Sequence, residues 1–286
     1  MNLENVELLS ETVKANIEVH KFLIEHGFYD QSPHLRPENR LKVNSIIDTI
    51  IAEFLPGTQL KAIDFGCGSG FIIDIIRNKF EEVVGVDVCH EMLSRIDTTA
   101  SNIKLYECVA EKTPFSDASF DFATAYSFMD HLEDPIIFLK EVYRVLKPGG
   151  VFYADLNPNK DFIENLENLG SATASGCYWP LIEKEIKGAL NNGALYKEQF
   201  NLDNTLLEKA EPIKSYGKGF SGEKILEHAK EIGFSRCRVE SHWFLGEGTY
   251  LNSDDPERID VISSYLEQVS PLVKHLYKYL RFIFVR

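Results

Sequence analysis

Apolar residues follow two spacings along the chain, and each spacing predicts a different element. Short apolar runs bounded by glycine, proline or acidic residues are typical of buried strands. Seven runs of this kind occur, at 60–65, 83–86, 103–106, 120–126, 151–155, 236–244 and 282–285. Between them, apolar residues three and four apart predict amphipathic helices, as in 41–54. Strands alternating with helices predict a mostly parallel sheet that is covered by helices on both faces.

Capping residues predict where several helices begin and end. Asp134 followed by Pro135 is typical of a helix start, because the acid caps free N–H groups and proline fits the first turn. A helix is likewise expected to begin at Ser221 and to end at Gly233. Residues 256–279 are predicted to be helical with an interruption at Pro271, since proline breaks a helix.

The alternation stops after Asn157, and about sixty residues without a strand signal precede Ser221. A structureless loop of that length is unusual in a compact domain, so we expect a folded insertion. The predicted fold is α/β, with a doubly wound, mostly parallel, Rossmann-like sheet of seven strands, the last antiparallel, and a helical or mixed lid insertion. The predicted parts are N-terminal lid helices at 1–40, a main domain at 41–157 and 218–286, and a lid insertion at 158–217.

Composition narrows the classes of partner. The formal net charge of −14 disfavours nucleic acid, because an acidic surface repels phosphates. Five scattered cysteines without a CxxC pair argue against a disulfide framework or a zinc site and favour a reducing, cytoplasmic location. The chain has no apolar run of about 20 residues, so no stable membrane insertion is expected. No histidine and acid cluster has metal-ligand spacing, so no metal is predicted, and the oligomeric state is left open.

A glycine-rich turn follows the first predicted strand, in the segment Asp64-Phe65-Gly66-Cys67-Gly68-Ser69-Gly70. Glycines at a strand-to-helix turn let the backbone approach a ligand closely. Asp87 ends the next strand, where an acid can accept hydrogen bonds from ribose hydroxyls. A dinucleotide or S-adenosylmethionine would suit such a turn. The spacing GxGxG in place of GxGxxG, and the acid Asp64 before the turn, favour S-adenosylmethionine.

Five segments in this order resemble class I S-adenosylmethionine-dependent methyltransferases of the small-molecule type. They are Asp64 to Gly70, Val83 to Asp87, Glu111 to Asp121 (EKTPFSDASFD), His131 to Pro135 and Leu146 to Gly150. The resemblance covers about Ala62 to Asn157. It implies S-adenosylmethionine as the cofactor and S-adenosylhomocysteine as its product.

The resemblance also implies a set of cofactor-binding residues, namely Asp64, Gly66, Cys67, Gly68, Asp87, Val88, Met92, Val109, Ala110, Glu111 and Tyr126. Asp64 is expected near the ammonium group of the cofactor and Asp87 at its ribose. Val88 and Met92 are expected on the adenine face, although both could equally be core residues. Val109 stands where family members often carry an aspartate, and Glu111 is the candidate replacement.

The acceptor side is predicted from position and residue type. His131 follows the fourth strand and is a candidate general base, with a structural histidine bonded to a loop backbone as the alternative. Candidate acceptor-binding residues are Tyr29, Asn157, Tyr178, Trp179, Tyr196 and Tyr216, although the insertion's aromatics could instead form its own small core. The predicted reaction is methyl transfer to oxygen or nitrogen of a small metabolite. The alternatives are a methyltransferase acting on RNA or protein, and a non-catalytic protein that binds the cofactor.

Overall fold

The computed structural model describes residues 9–31, 35–57, 60–170, 179–190, 197–198, 203–251, 257–270 and 272–286. All seven predicted strands are present. They are β1 (Lys61–Phe65), β2 (Glu82–Asp87), β3 (Ile103–Glu107), β4 (Phe120–Tyr126), β5 (Leu146–Pro158), β6 (Arg236–Phe244) and β7 (Tyr277–Val285).

The strands form one sheet in the order β3-β2-β1-β4-β5-β7-β6. Strands β1 to β5 pair in parallel, and β7 lies antiparallel between β5 and β6. The predicted doubly wound, mostly parallel sheet with an antiparallel last strand is therefore confirmed. The chain order reverses beside β1, and ligands of open α/β sheets bind at such a reversal, outside the carboxyl ends of the strands.

Helices connect the strands and cover both faces of the sheet. The helices of the described residues are α1 (Glu11–Glu25), α2 (Pro37–Phe54), α3 (Phe71–Ile76), α4 (His90–Leu93), α5 (Pro135–Val145), α6 (Lys160–Gly170), α7 (Trp179–Leu190), α8 (Asn204–Ala210), α9 (Pro212–Ser215), α10 (Gly222–Ile232), α11 (Glu247–Leu251) and α12 (Arg258–Gln268). Single 3₁₀ turns occur at Tyr29–Gln31, Met129–His131 and Lys274–Leu276. None of these helices is long and apolar enough to cross a membrane.

The predicted helix caps are confirmed at two places. The Asp134 side chain accepts a hydrogen bond from the N–H of Ile136 at the start of α5, and Ser221 caps α10 through the N–H of Lys224. The predicted helix over 256–279 is wrong at its C-terminal end. The helix ends at Gln268, and Tyr277 already pairs with Phe244 in the sheet. The aromatic and β-branched residues of 277–285 favour an extended strand, and pairing on both edges satisfies its backbone.

Two apolar cores lie on opposite faces of the sheet. On one face, α2 and α3 bury Ile47, Ile50 and Ile72 against β1 and β5. On the other face, α5 and α10 bury Phe138 and Ala229. Burial on both faces explains why the parallel strands are continuous apolar runs instead of alternating ones.

The N-terminal helix packs on the insertion. Ala15 and Val19 of α1 are buried against Leu207 and Ala210 at the C-terminal part of the insertion. Earlier in the insertion, α6 and α7 form a separate small core around Phe162. The two chain segments that were predicted as lids thus contact each other directly.

Candidate functional site

A cavity of about 1640 Å³ opens at the carboxyl ends of β1, β2, β4 and β5. The glycine turn after β1 and the end of β2 line one part of it. Residues of α1, of the insertion and of the segment after β6 line the other part. Sites that bury one small ligand occupy roughly 300–1,000 Å³, so this cavity has room for a cofactor together with a second small molecule.

The glycine turn depends on the absence of side chains. Gly66 and Gly68 have φ angles of 62° and 52°, in the left-handed region that favours glycine. A Cβ atom on Gly66 would lie 2.0 Å from the ring of Phe128, and one on Gly68 would lie 2.9 Å from the hydroxyl of Tyr29. These contacts show why the turn needs glycine at both positions, and they place Tyr29 against it.

The Asp87 carboxylate holds this turn against the end of β2. Its Oδ2 accepts a hydrogen bond of 2.8 Å from the N–H of Gly68, and its Oδ1 accepts one of 2.9 Å from the N–H of Cys89. Asp87 also lines the cavity. Each carboxylate oxygen can accept more than one hydrogen bond, so the group keeps capacity for ribose hydroxyls.

Asp64 presents a buried carboxyl group at the end of β1. It is only 1% exposed, and the hydroxyl of Thr124 donates a hydrogen bond of 2.7 Å to its Oδ1. Burial raises the pKa of Asp64 to about 7, although the bond from Thr124 opposes the rise. A buried acid that lines a cavity without a cation beside it suits a ligand with an ammonium group.

The remaining cofactor-side residues form the wall of the same cavity. Cys67, Val88, Met92, Ala110, Glu111 and Tyr126 line it, as predicted, and burial raises the pKa of Glu111. The predicted place of Val109 in the cofactor pocket is corrected, because Val109 does not line the cavity. The cavity therefore fits S-adenosylmethionine. It offers an apolar face, one carboxylate for the ribose and one for the ammonium group, and a glycine turn that a ligand can approach closely.

His131 lies in the 3₁₀ turn after β4 and lines the cavity. Its Nδ1 is 2.9 Å from the carbonyl oxygen of Ala210, at the end of α8. Its ring centroid is 5.5 Å from that of His20 in α1. Because a carbonyl only accepts, Nδ1 carries the proton and Nε2 is left as an acceptor. The histidine therefore anchors a loop and also faces the cavity, and its role as a base stays a prediction.

The predicted acceptor residues divide into three groups. Tyr29 lines the cavity. Asn157 and Tyr216 do not, which corrects their assignment: Asn157 is buried and donates to the carbonyl of Leu280, and Tyr216 is 64% exposed. Tyr178 and Tyr196 lie outside the described residues, and Trp179 is the first residue of α7.

Several cavity residues carried no local signal in the sequence. His20 comes from α1, Phe128 from the segment after β4, and Glu211 and Lys214 from the α8–α9 region. Lys214 donates a hydrogen bond of 2.9 Å to Glu211, which lowers the pKa of Glu211 against the effect of burial. The helical spacing of α1 predicts which of its faces is apolar, but only tertiary packing shows that His20 reaches the cavity.

Comparison with known proteins bears on this geometry. A family model described as "Methyltransferase domain" matches residues 63–154, the segment from β1 to β5. The structure of an S-adenosylmethionine-dependent methyltransferase from Archaeoglobus fulgidus superposes with a TM-score of 0.52 over 86% of this chain and 94% of that one, at 17% identity. That likeness concerns the fold.

Sequence relatives of known class are also present. The chain is 33% identical over 105 residues to a ubiquinone biosynthesis O-methyltransferase of Idiomarina loihiensis, covering 35% of this chain and 43% of that protein. It is 30% identical over 156 residues to the protein of the same name from Pseudomonas entomophila, covering 50% of this chain and 63% of that protein. These two matches thus span 43% and 63% of the relatives' length.

The fold, the glycine turn and the family match define a class I S-adenosylmethionine-dependent methyltransferase domain. Residues 63–154 carry the predicted methyltransferase domain, which supports S-adenosylmethionine as the cofactor. Among the residues that the structure describes, no group of three or more histidine, cysteine or acidic side chains is placed to hold a metal ion.

Proposed function

We propose that this protein transfers a methyl group from S-adenosylmethionine to oxygen or nitrogen of a neutral small molecule. One observation carries the proposal: a single cavity extends from the glycine turn of the cofactor side to residues of α1 and of the insertion. The relatives named above act as O-methyltransferases, which supports oxygen as the acceptor atom.

The charges around the cavity favour an uncharged acceptor. Nine acidic and four basic residues line it. Each lysine among them is already paired with a carboxylate: Lys42 with Glu247 at 3.5 Å, Lys214 with Glu211 at 2.9 Å and Lys278 with Glu185 at 3.5 Å. An anionic acceptor would meet an excess of negative charge. The same excess suits the cationic cofactor.

The protein's contribution to the reaction is positioning and the exclusion of water. When bound, the cofactor supplies a methyl group that its sulfonium already activates. Asp64 would hold the ammonium group of that molecule and Asp87 its ribose, while α1 and α8, which pack on each other, line the rest of the cavity. His131, with a free Nε2, is the group available to take the acceptor's proton.

Transfer of a labelled methyl group tests the proposal directly. The protein is incubated with methyl-tritiated S-adenosylmethionine and, in parallel, 4-butylphenol, 4-butylaniline, 4-butylbenzoate, transfer RNA and a mixed peptide library. We expect label in the phenol or the aniline and none in the benzoate, which has the same shape with a charge. Label in RNA or peptide alone would support the macromolecular alternative. Cofactor binding without any transfer would favour the non-catalytic one.

A further inference from the structure

Two histidines from distant parts of the chain meet in the cavity. His20 lies in α1 and His131 follows β4, and both rings line the cavity with centroids 5.5 Å apart. His131 is the candidate base of the function proposed above. His20 has no role in that function so far, although its ring lies next to that of His131.

Both rings are held in the same way. Nδ1 of His20 is 2.8 Å from the carbonyl oxygen of Asn16, one turn earlier in α1. Nδ1 of His131 is 2.9 Å from the carbonyl oxygen of Ala210. Since a carbonyl accepts and cannot donate, both rings carry their proton on Nδ1. No described residue forms a hydrogen bond with Nε2 of either ring, so two acceptor lone pairs remain on the opposite edges of the rings.

The surroundings keep His20 neutral. Burial and then the neighbouring His131 lower the pKa of His20, while Asp87, the Asn16 carbonyl and Glu211 act in the opposite direction to a smaller extent. A neutral imidazole protonated on Nδ1 can only accept at Nε2. His20 is thus unable to donate a hydrogen bond from Nε2 unless it takes up a proton.

We propose that His20 is a second acceptor-binding residue, which together with His131 forms a pair of imidazoles whose Nε2 atoms receive hydrogen bonds from the methyl acceptor. The proposal rests on the proposed function and narrows its substrate class. Nε2 of His20 favours an acceptor that enters as a neutral hydroxyl or amine over one that enters as an anion, because an anion would face its lone pair. It also means that the N-terminal helix supplies part of the polar contact with the acceptor.

Two substitutions of His20 separate its two nitrogen atoms. In His20→Asn, the amide nitrogen replaces Nδ1 and keeps the bond to Asn16, but nothing replaces Nε2. In His20→Gln, the longer side chain puts an acceptor near the Nε2 position and loses the Nδ1 bond. His26 provides the matched control, since its Nδ1 is 2.9 Å from the carbonyl of Phe22, the same spacing along α1, while its side chain is exposed and outside the cavity.

The measurement is the dissociation constant of 4-butylphenol for the protein loaded with S-adenosylhomocysteine, together with ¹⁵N spectra of the histidines. We expect His20→Asn to weaken binding of the phenol about three- to tenfold, as the loss of one hydrogen bond implies. His20→Gln should recover part of that loss while lowering the melting temperature, and His26→Asn should leave the phenol affinity unchanged. In the wild type, the Nε2 signals of His20 and His131 should shift when the phenol binds.

Two outcomes would overturn the proposal. One is an unchanged phenol affinity in a folded His20→Asn protein, and the other is an Nε2 signal of His20 that does not respond to the phenol. In either case, binding of S-adenosylhomocysteine and methyl transfer by the wild type are measured independently of His20 and test the proposed function on their own. Failure of the histidine pair is therefore distinguishable from failure of the proposed function.

Discussion

The two parts of the cavity are built in different ways. On the cofactor side, the Gly66–Gly68 turn and Asp87 lie within 21 residues of each other in the chain, and short-range backbone geometry sets their positions. On the acceptor side, His131 bonds to Ala210, 79 residues away, and its own carbonyl accepts from Asn16, 115 residues away. One part is determined by local conformation, and the other is determined by how distant helices pack.

The largest effect is expected from disturbing the local part. Gly66→Ala places a Cβ against the ring of Phe128 at a φ of 62°. Left-handed strain costs roughly 1–2 kcal/mol and overpacking roughly 1–3 kcal/mol. Together these costs are roughly 2–5 kcal/mol, so we expect the affinity for S-adenosylhomocysteine, measured by calorimetry, to fall about thirtyfold or more. Gly149→Ala is the control, because Gly149 has a φ of 83° with nothing within 4 Å, and it should leave that affinity unchanged.

The next effect concerns the distant part. His131→Asn keeps a donor for the Ala210 carbonyl and removes Nε2. If Nε2 is the base, turnover should fall about a hundredfold, with the dissociation constant of the cofactor nearly unchanged. Single-turnover kinetics and cofactor titration measure the two quantities. A parallel loss of thermal stability and both parameters would mean that the histidine only anchors the loop.

A smaller effect is expected at Asp87. Asp87→Ala removes the acceptor for the N–H groups of Gly68 and Cys89 as well as the group predicted to hold the ribose. Loss of a charged hydrogen-bonding partner costs about 1.5–3 kcal/mol, so we expect affinity for the cofactor to fall about ten- to a hundredfold. Asp134→Ala, which removes the cap of α5, is the control for general destabilisation. Equal cofactor affinity in the Asp87 variant and the wild type would contradict the assignment.

The smallest effect is a pH dependence at Asp64. Its pKa of about 7 in the protein without ligand lies above the ordinary 3.8, so the folded protein holds this proton more tightly than the unfolded chain does. An ammonium group favours the ionised form, so cofactor affinity should rise with pH up to about 7, by at most about tenfold per unit, and then level off. Calorimetry in buffers of different ionisation enthalpy should detect proton release near pH 6.

Asp64→Asn sharpens this prediction because it separates binding from stability. As pH rises from 3.8 to about 7, the unfolded chain releases this proton while the folded protein without ligand keeps it, so the folded protein loses stability. The asparagine variant should therefore melt at a higher temperature than the wild type at pH 8, yet bind the cofactor weakly and without the pH dependence. A lower melting temperature at that pH would show that Asp64 is stabilised by a cation from the protein.

The same contrast explains what could be predicted from the sequence. The strands, the mostly parallel sheet with its antiparallel last strand and the glycine turn were predicted, because they depend on apolar periodicity and on local turn chemistry. The residues of the acceptor side were predicted less well. Asn157 is buried and donates a hydrogen bond to the carbonyl of Leu280, and Tyr216 is on the surface. His20 lines the cavity but was not among the predicted residues. Residue type suggested an aromatic wall, but which side chains face a cavity depends on helix orientation, which periodicity alone does not give.

The contact between α1 and α8 has a consequence for how ligands enter and leave the site. Because Ala15 and Val19 are buried against Leu207 and Ala210, moving either helix away exposes apolar surface on both. The two helices should therefore move together, although nearly two hundred residues of chain separate them. Cofactor and acceptor would enter and leave past the same two helices. Product release would therefore expose both sides of the cavity to water at once. Protease nicking of α1 and of α8 should then be suppressed together by a single bound ligand.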